Sequence, residues 1–236
     1  MKNLNRNLLL IAGLVLSASL SQGQGFTDTF TGSSVNSSIW NVSLPFSQST
    51  VVQSDGSLTT TGRGTLSTVS GFFAPYTVSG AVTLNNGFEH FGITLRSDLT
   101  ATTASGLSEY DVLTGILVEF SADGNQVSIQ QIDQGNPNPP ILVEANYDFA
   151  VGQLYDFFIT DTGNNVSLAI DGYNLISANT TFSTGDQIAF QSREFSDTSS
   201  TLNFLSIEPT PEPSSLALLG LGIGGFIAMR KKLKNF

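Results

Sequence analysis

The residues that could perform chemistry in this chain are few. Among its 236 residues there is no cysteine, which excludes thiolate chemistry and a disulfide framework. His90 is the single histidine, so a His-rich metal site is excluded and a Ser-His-Asp triad would have to include it. The surroundings of His90 are therefore the first place to look for a site.

Two strand-like stretches place polar groups beside His90. In FEHFGITLR at 88–96, strand alternation turns three apolar side chains toward a core: Phe91, Ile93 and Leu95. The opposite face then carries Phe88, His90, Thr94 and Arg96. In GILVEFS at 115–121, the same alternation turns Glu119 outward.

A shared sheet would bring these outward residues together. We predict a polar concave face that hydrogen-bonds sugar hydroxyls and stacks on the apolar faces of sugars, lined by Phe88, His90, Arg96 and Glu119. The alternative is an ordinary solvated sheet face.

The charge distribution limits the partners of such a site. Of the 19 acidic residues, 18 lie between Asp28 and Glu208, whereas only three of the nine basic residues lie there. A body this acidic is repelled by phosphate backbones, so nucleic acid is excluded as a partner. The acidity indicates either solubility outside the cell or binding of divalent cations.

The stretches that must position these residues read as β-strands. From Phe26 onward, apolar residues recur with period 2 rather than 3.6, and turn sequences such as NNG, ADGN and TGNN separate the stretches. Many short strands in about 180 residues predict an all-β fold of two antiparallel sheets packed face to face. We place this β-sandwich at 26–207. The clearest strands are 76–84, 88–96, 115–121, 126–132, 154–160, 166–171, 187–192 and 202–207.

Residues 1–25 have the organisation of a secretory signal peptide. Lys2 and Arg6 precede an apolar run from Leu8 to Leu16, and small residues suited to signal peptidase follow. The alternative is a retained membrane anchor, but the apolar run is far shorter than the roughly 20 residues that span a bilayer.

The body resembles the concanavalin A-like lectin/glucanase sandwiches. Its opening FTDTFTGSSVNSSIWNV is similar to the first strand of that group, in which Phe-x-Asp-x-Phe is followed by a Trp, and LYDFFITDTGNNVSLAIDGYNL resembles its later hairpins. The resemblance implies a jelly roll. It also implies a possible calcium ion near the first strand, for which Asp28 is the candidate ligand.

Laminarinase-type enzymes of that group carry Glu-x-Asp-x(1–2)-Glu, with the first Glu as nucleophile and the last as acid/base. The nearest match here is EYDVLT, which provides Glu109 and Asp111 but has Leu113 or Thr114 where the third carboxylate should stand. Neither of these residues can donate the proton that glycoside hydrolysis requires. We therefore expect no catalysis from this motif.

The C-terminal segment 208–236 resembles the PEP-CTERM sorting signal of Gram-negative bacteria. Pro211, Glu212 and Pro213 precede a 16-residue apolar stretch that we expect to form a short transmembrane helix, and a basic cluster follows, including Arg230, Lys231 and Lys232. The resemblance implies transient anchoring in the inner membrane and processing by an exosortase, with the body released or attached at the cell surface. The alternative is a plain C-terminal anchor.

These observations favour a secreted, non-catalytic protein that binds polysaccharide or serves as a structural component of an exopolysaccharide or biofilm matrix. The alternatives are a divergent glycoside hydrolase or lyase acting on extracellular polysaccharide through carboxylates such as Glu109, Asp111 or Glu119, and a structural protein without a ligand.

Overall fold

The computed structural model describes residues 24–98, 114–133, 139–193 and 198–210. These residues form β-strands joined by turns and loops, and Gly23–Pro209 make one compact unit. The first eight strands are β1 (Phe26–Asp28), β2 (Trp40–Ser43), β3 (Thr50–Ser54), β4 (Ser57–Thr61), β5 (Thr65–Thr68), β6 (Tyr76–Leu84), β7 (His90–Ser97) and β8 (Gly115–Ser121). The others are β9 (Gln126–Ile132), β10 (Ile141–Asn146), β11 (Leu154–Asp161), β12 (Asn165–Ile170), β13 (Tyr173–Asn179), β14 (Gln187–Ser192) and β15 (Ser199–Pro209).

The strands form two antiparallel sheets. Sheet A has the order β13-β12-β11-β6-β15-β4-β3, with β1 also pairing with β15, and sheet B has the order β10-β9-β8-β7-β14-β5-β2. Side chains of both sheets make one core, in which the largest fully buried residues include Tyr76, Phe91, Phe120 and Phe190. The predicted all-β sandwich is confirmed.

The helices predicted at the two ends lie outside the described residues. Within the part of the chain that the structure describes, no helix is long and apolar enough to cross a membrane.

The first strand is fixed to both sheets by Trp40. Its indole packs edge-on against Phe26 at 5.1 Å and against Phe190 at 5.8 Å between ring centroids, and its Nε1 donates to Asp28 Oδ2 at 2.7 Å. Because β1 belongs to sheet A while β2 and β14 belong to sheet B, this one side chain joins the two layers.

Strands β3, β4 and β5 are not among the strands that the sequence indicated. In β4, Leu58 and Thr60 are buried while Thr59 faces outward and bonds to Thr201 of β15 at 3.0 Å. Threonine serves on both faces of this strand, so hydropathy shows little alternation although the strand is regular.

A β-bulge places Arg96 on a different side of β7 from the one that the sequence predicted. Thr94 pairs with Ala189 and Ser97 pairs with Gln187, so two residues of β7, Leu95 and Arg96, lie opposite one residue of β14. Arg96 adopts φ +51°, as the extra residue of a bulge often departs from extended geometry. The alternation that would place Arg96 beside His90 therefore ends at Thr94.

Arg96 instead forms a buried ion pair with sheet A. Its Nε donates to Asp161 Oδ2 at 2.8 Å and its Nη2 to Asp161 Oδ1 at 2.5 Å, so the pair is bidentate. Nη1 donates to the carbonyl oxygens of Thr180 and Phe182, and the Gly163 N–H donates to Asp161. With Asp161 0% and Arg96 5% exposed, the pair joins β11 to β7 inside the sandwich.

We expect Asp161→Ala to lower the free energy of unfolding by about 3–5 kcal/mol, because it leaves the buried Arg96 cation without its partner. Urea denaturation at pH 7 measures this loss. Asp156→Ala is the matched control, since Asp156 lies exposed on the same strand and should change stability by less than about 0.5 kcal/mol. Equal stability of the two variants would contradict the assigned role of the ion pair.

Candidate functional site

The outer face of sheet B, turned away from the core, carries the polar groups that the sequence singled out. Strands β7 and β8 are neighbours, with Gly92 opposite Glu119 and His90 opposite Ser121. In β8, Val118 and Phe120 enter the core, which leaves Glu119 on the outer face. The predicted proximity of His90 and Glu119 is thus present in the structure.

His90 lies between two carboxylates. Its Nδ1 is 3.3 Å from Glu119 Oε1 and its Nε2 is 2.6 Å from Asp123 Oδ1. Both contacts are hydrogen bonds when each ring nitrogen carries a proton. Ser121 Oγ donates to the same Asp123 oxygen at 2.8 Å, which fixes the carboxylate at the end of β8.

Glu119 contacts side chains from β7, from β9 and from the end of β14. Arg193, directly after β14, brings its Nε to 3.1 Å from Glu119 Oε1, and Gln130 of β9 donates from Nε2 to Glu119 Oε2 at 2.6 Å. We call His90, Glu119, Asp123, Gln130 and Arg193 the His90 cluster.

Gly92 makes the approach of Arg193 possible. It lies on β7 between Glu119 of β8 and Gln191 of β14. A Cβ at position 92 would lie 2.7 Å from Arg193 Cδ and 2.8 Å from Leu117 Cδ1. The missing side chain therefore lets the arginine stem cross β7 and reach the carboxylate.

Opposing effects act on the two carboxyl groups of the His90 cluster. Burial raises the pKa of Glu119, but the hydrogen bond from His90, the charges of Arg193 and His90 and the hydrogen bond from Gln130 together bring it below its usual value. Burial also raises the pKa of Asp123, but the Ser121 hydrogen bond, the charge and hydrogen bond of His90 and the Gly124 N–H together lower it below its usual value. Both groups are carboxylates at neutral pH.

The exposed part of the site is the end nearest the β6–β7 turn. The side chain of Asp123 is 45% exposed and that of His90 22%, whereas that of Glu119 is only 11% exposed. Phe88, in the turn directly before β7, is 71% exposed. A solute therefore meets the imidazole and the Asp123 carboxylate before Glu119, and the exposed Phe88 lies two residues before His90 along the chain.

Three members of the cluster were not among the predicted site residues. Asp123 was assigned to a hairpin turn, and the structure does place it in the β8–β9 turn, but its carboxylate also contacts His90. The alternation of Glu119, Ser121 and Asp123 in EFSAD was the sequence signal for this residue. Gln130 and Arg193 had no such signal, because their positions depend on strand pairing.

The other predicted site residues have separate positions. Arg96 lies in the buried ion pair and not in the His90 cluster. Glu109 and Asp111 lie outside the described residues.

Asp28, the candidate calcium ligand, accepts hydrogen bonds from the Trp40 indole and from the Phe30 N–H at 2.8 Å. No group of three or more His, Asp and Glu side chains that could hold a metal ion occurs among the described residues. Calcium at Asp28 stays a prediction.

Glu89 precedes His90 and lies on the other side of the sheet. It is fully buried, and Ser200 of sheet A donates to its Oε1 at 2.8 Å. Burial raises the pKa of Glu89, and the hydroxyls of Ser192, Thr198 and Ser200 only partly counteract this effect.

Comparisons with known proteins bear on the C-terminal segment and on the fold. A family model described as the PEP-CTERM protein-sorting motif matches residues 209–232. The chain carries a PEP-CTERM sorting motif. The predicted sorting residues Pro211, Glu212, Pro213, Arg230, Lys231 and Lys232 fall within the match. The motif implies a secreted, exosortase-processed protein exported to the cell surface of a Gram-negative bacterium. The comparison with curated proteins gives no match.

The sandwich is similar to several solved carbohydrate-active structures. A Bacillus licheniformis β-glucanase matches with a TM-score of 0.57 and 14% identity over 80% of this chain and 99% of its own. The Emp47p carbohydrate recognition domain matches with a TM-score of 0.60 and 12% identity over 79% and 95%. Carbohydrate binding module CBM66 from Bacillus subtilis gives 0.54 and 15% over 71% and 93%. At these identities the likeness shows the fold, and it confirms the predicted concanavalin A-like jelly roll.

We expect Glu89→Gln to be more stable than the wild type at pH 7, with the difference closing toward pH 4. A carboxyl group whose folded-state pKa is raised contributes most below its unfolded pKa, near 4.3, and this contribution is lost as pH rises through the folded pKa. The lowered pKa values of Glu119 and Asp123 act with the opposite sign: their contribution is present above the unfolded pKa and is lost as pH falls.

Urea denaturation between pH 4 and 8 measures this difference. Glu144→Gln, at an exposed position of β10, serves as the control and should change stability by less than about 0.5 kcal/mol throughout. A Glu89→Gln variant that is less stable than the wild type at pH 7 would contradict the assignment.

Proposed function

We propose that this protein is a non-catalytic carbohydrate-binding protein of the cell surface or extracellular matrix, with the His90 cluster and Phe88 as its binding site. The observation that carries the proposal is the set of fixed hydrogen-bonding groups around His90, with the exposed Phe88 two residues before it along the chain. Aromatic rings contact the apolar faces of sugars, and a few oriented polar groups hydrogen-bond the hydroxyls. The sorting motif supports an extracellular location for such a site.

The electrostatics of the cluster support binding over hydrolysis. Glycoside hydrolysis uses one ionised carboxylate and one carboxylic acid with a raised pKa. The pKa values of Glu119 and Asp123 are both lowered, so neither is suited to donate a proton at neutral pH. Both oxygens of Glu119 are also engaged by His90, Arg193 and Gln130.

The alternative is a divergent hydrolase or lyase. Its support is the pair of carboxylates that Glu119 and Asp123 present around His90 on one face. Reducing sugar or unsaturated product released from a polysaccharide panel, and abolished by Glu119→Gln, would establish this alternative and overturn the non-catalytic assignment.

A glycan array probed with the purified protein, with and without calcium, tests the binding proposal. We expect binding to at least one class of polysaccharide fragment and a loss of about tenfold or more in His90→Ala and Phe88→Ala, because each removes a group that contacts solvent at the site. Phe73→Ala is the matched control: Phe73 is 57% exposed and precedes β6, whereas Phe88 follows it, roughly 30 Å away along the strand. Equal losses in all three variants, or no binding to any glycan, would contradict the proposal.

We also propose that the C-terminal segment anchors the protein only transiently, until exosortase acts near Pro211-Glu212-Pro213. Replacing these three residues with alanine should leave a full-length form in the membrane fraction, because the processing enzyme no longer recognises its substrate. Mass spectrometry of the cell-surface and membrane fractions measures the mature C-terminus. An intact Phe236 in the mature wild-type protein would show that the segment is a permanent anchor.

A further inference from the structure

A groove lies on the outer face of sheet A, on the opposite side of the core from the His90 cluster. It is shallow and open, with a volume of about 410 Å³, and is lined by Asn165, Ser167, Asn174, Leu175, Ile176 and Ser177. Its lining therefore comes from β12 and β13. We propose that this groove binds a neutral oligosaccharide.

A bulge in β13 lies within the groove. Leu168 pairs with Ile176 and Ala169 pairs with Asn174, so Leu175 is an additional residue with no partner on β12. In a regular strand, consecutive side chains would point to opposite faces. Here four consecutive residues of β13 line the groove: Asn174 and Ser177 are exposed, whereas Ile176 is buried in the core and Leu175 packs against it.

The polar groups of the groove are held by one another. Asn165 Nδ2 donates to Asn179 Oδ1 at 2.9 Å, and Ser177 Oγ donates to Asn165 Oδ1 at 3.0 Å. Ser167 lies opposite Ser177 in the register. The Asn165 amide is thus fixed before any ligand arrives, which reduces the entropy lost on binding.

An aromatic ring lies on the same face beside the groove. Phe158 of β11 is opposite Ala169 of β12, which in turn is opposite Asn174 of β13. Phe158 is 48% exposed although it is a large apolar residue. Two strand spacings separate Phe158 from Asn174, about 10 Å. A sugar ring against Phe158 therefore lies within reach of the amides and hydroxyls of β12 and β13.

The charge of the groove selects the ligand class. All six lining residues are uncharged. The surrounding body is strongly acidic, so uronic acids and sulfated sugars are repelled, and there is no lining cation to hold them. Amides, hydroxyls and one exposed ring are suited to the hydroxyl groups and apolar faces of a neutral saccharide.

Together with the His90 cluster, this groove would give the protein two carbohydrate sites on opposite sheets. A monomer of this kind cross-links two polysaccharide chains, because the sites face away from each other. This cross-linking rests on the proposed function, whereas ligand binding by the groove does not.

Titration of the purified protein with three neutral hexasaccharides, from a β-1,3-glucan, a β-1,4-glucan and an α-1,6-glucan, tests the groove. Isothermal calorimetry gives the affinity and native mass spectrometry the stoichiometry. We expect two hexasaccharides per chain for at least one probe, with affinity unchanged between about 50 and 500 mM salt because the ligand is uncharged.

Phe158→Ala and Asn174→Ala should each weaken one of the two sites about tenfold. Leu154→Ala is the matched control, an exposed apolar residue on the same strand beyond the part that pairs with β12.

The variants separate this proposal from the preceding one. If Phe158→Ala and Asn174→Ala remove one site while His90→Ala removes the other, both are supported. If Phe158→Ala and Asn174→Ala bind like the wild type, the proposal of a saccharide site in the groove is overturned. Loss of binding in His90→Ala would then still support the His90 site. If only the groove variants lose binding, the groove is supported and the His90 site fails. No binding of any probe by the wild type, or dimerisation abolished by Phe158→Ala without saccharide binding, overturns the groove.

Discussion

The ion pair between Arg96 and Asp161 constrains how the two sheets of this sandwich meet. With no cysteine in the chain, the layers are held by the core and by side chains that cross between them. A buried ion pair is costly unless its hydrogen-bonding capacity is satisfied. Here the carbonyl oxygens of Thr180 and Phe182 accept from the guanidinium and the Gly163 N–H donates to the carboxylate, so one contact also fixes two loops.

The bulge that supplies Arg96 to this ion pair also limits the site. Because the bulge turns Arg96 inward, this arginine does not reach the outer face of sheet B. Another arginine, Arg193, contacts Glu119 there. Arg193 comes from the end of β14 and crosses β7 where Gly92 has no side chain. The two arginines thus have distinct roles: one joins the sheets and the other balances the charge of a buried carboxylate.

The sequence predicted the parts of this arrangement that depend on local alternation. Strands 76–84, 115–121 and 126–132 were predicted with the bounds that the structure has, and the outward positions of His90 and Glu119 follow from period 2. Arg96 was misplaced because a bulge depends on how β7 pairs with β14, nearly a hundred residues later. Gln130 and Arg193 were missed because their closeness to Glu119 depends on how the strands pair. The strands around Thr59 and Thr60 were missed because threonine occupies both faces.

Glu89, directly before β7, and His90, its first residue, also bear on function. Glu89 and His90 are adjacent, but Glu89 bonds to Ser200 of sheet A inside the sandwich while His90 faces outward. Burial raises the pKa of Glu89, whereas hydrogen bonds and neighbouring charges lower the pKa values of Glu119 and Asp123. A glycoside hydrolase places its proton donor and its ionised carboxylate on either side of one glycosidic bond, so both groups must be open to the same substrate. In this sandwich the carboxyl group suited to hold a proton and the two suited to remain ionised lie on opposite sides of β7. This separation supports the proposal that the outer face binds sugars through fixed charges and hydrogen bonds without cleaving them.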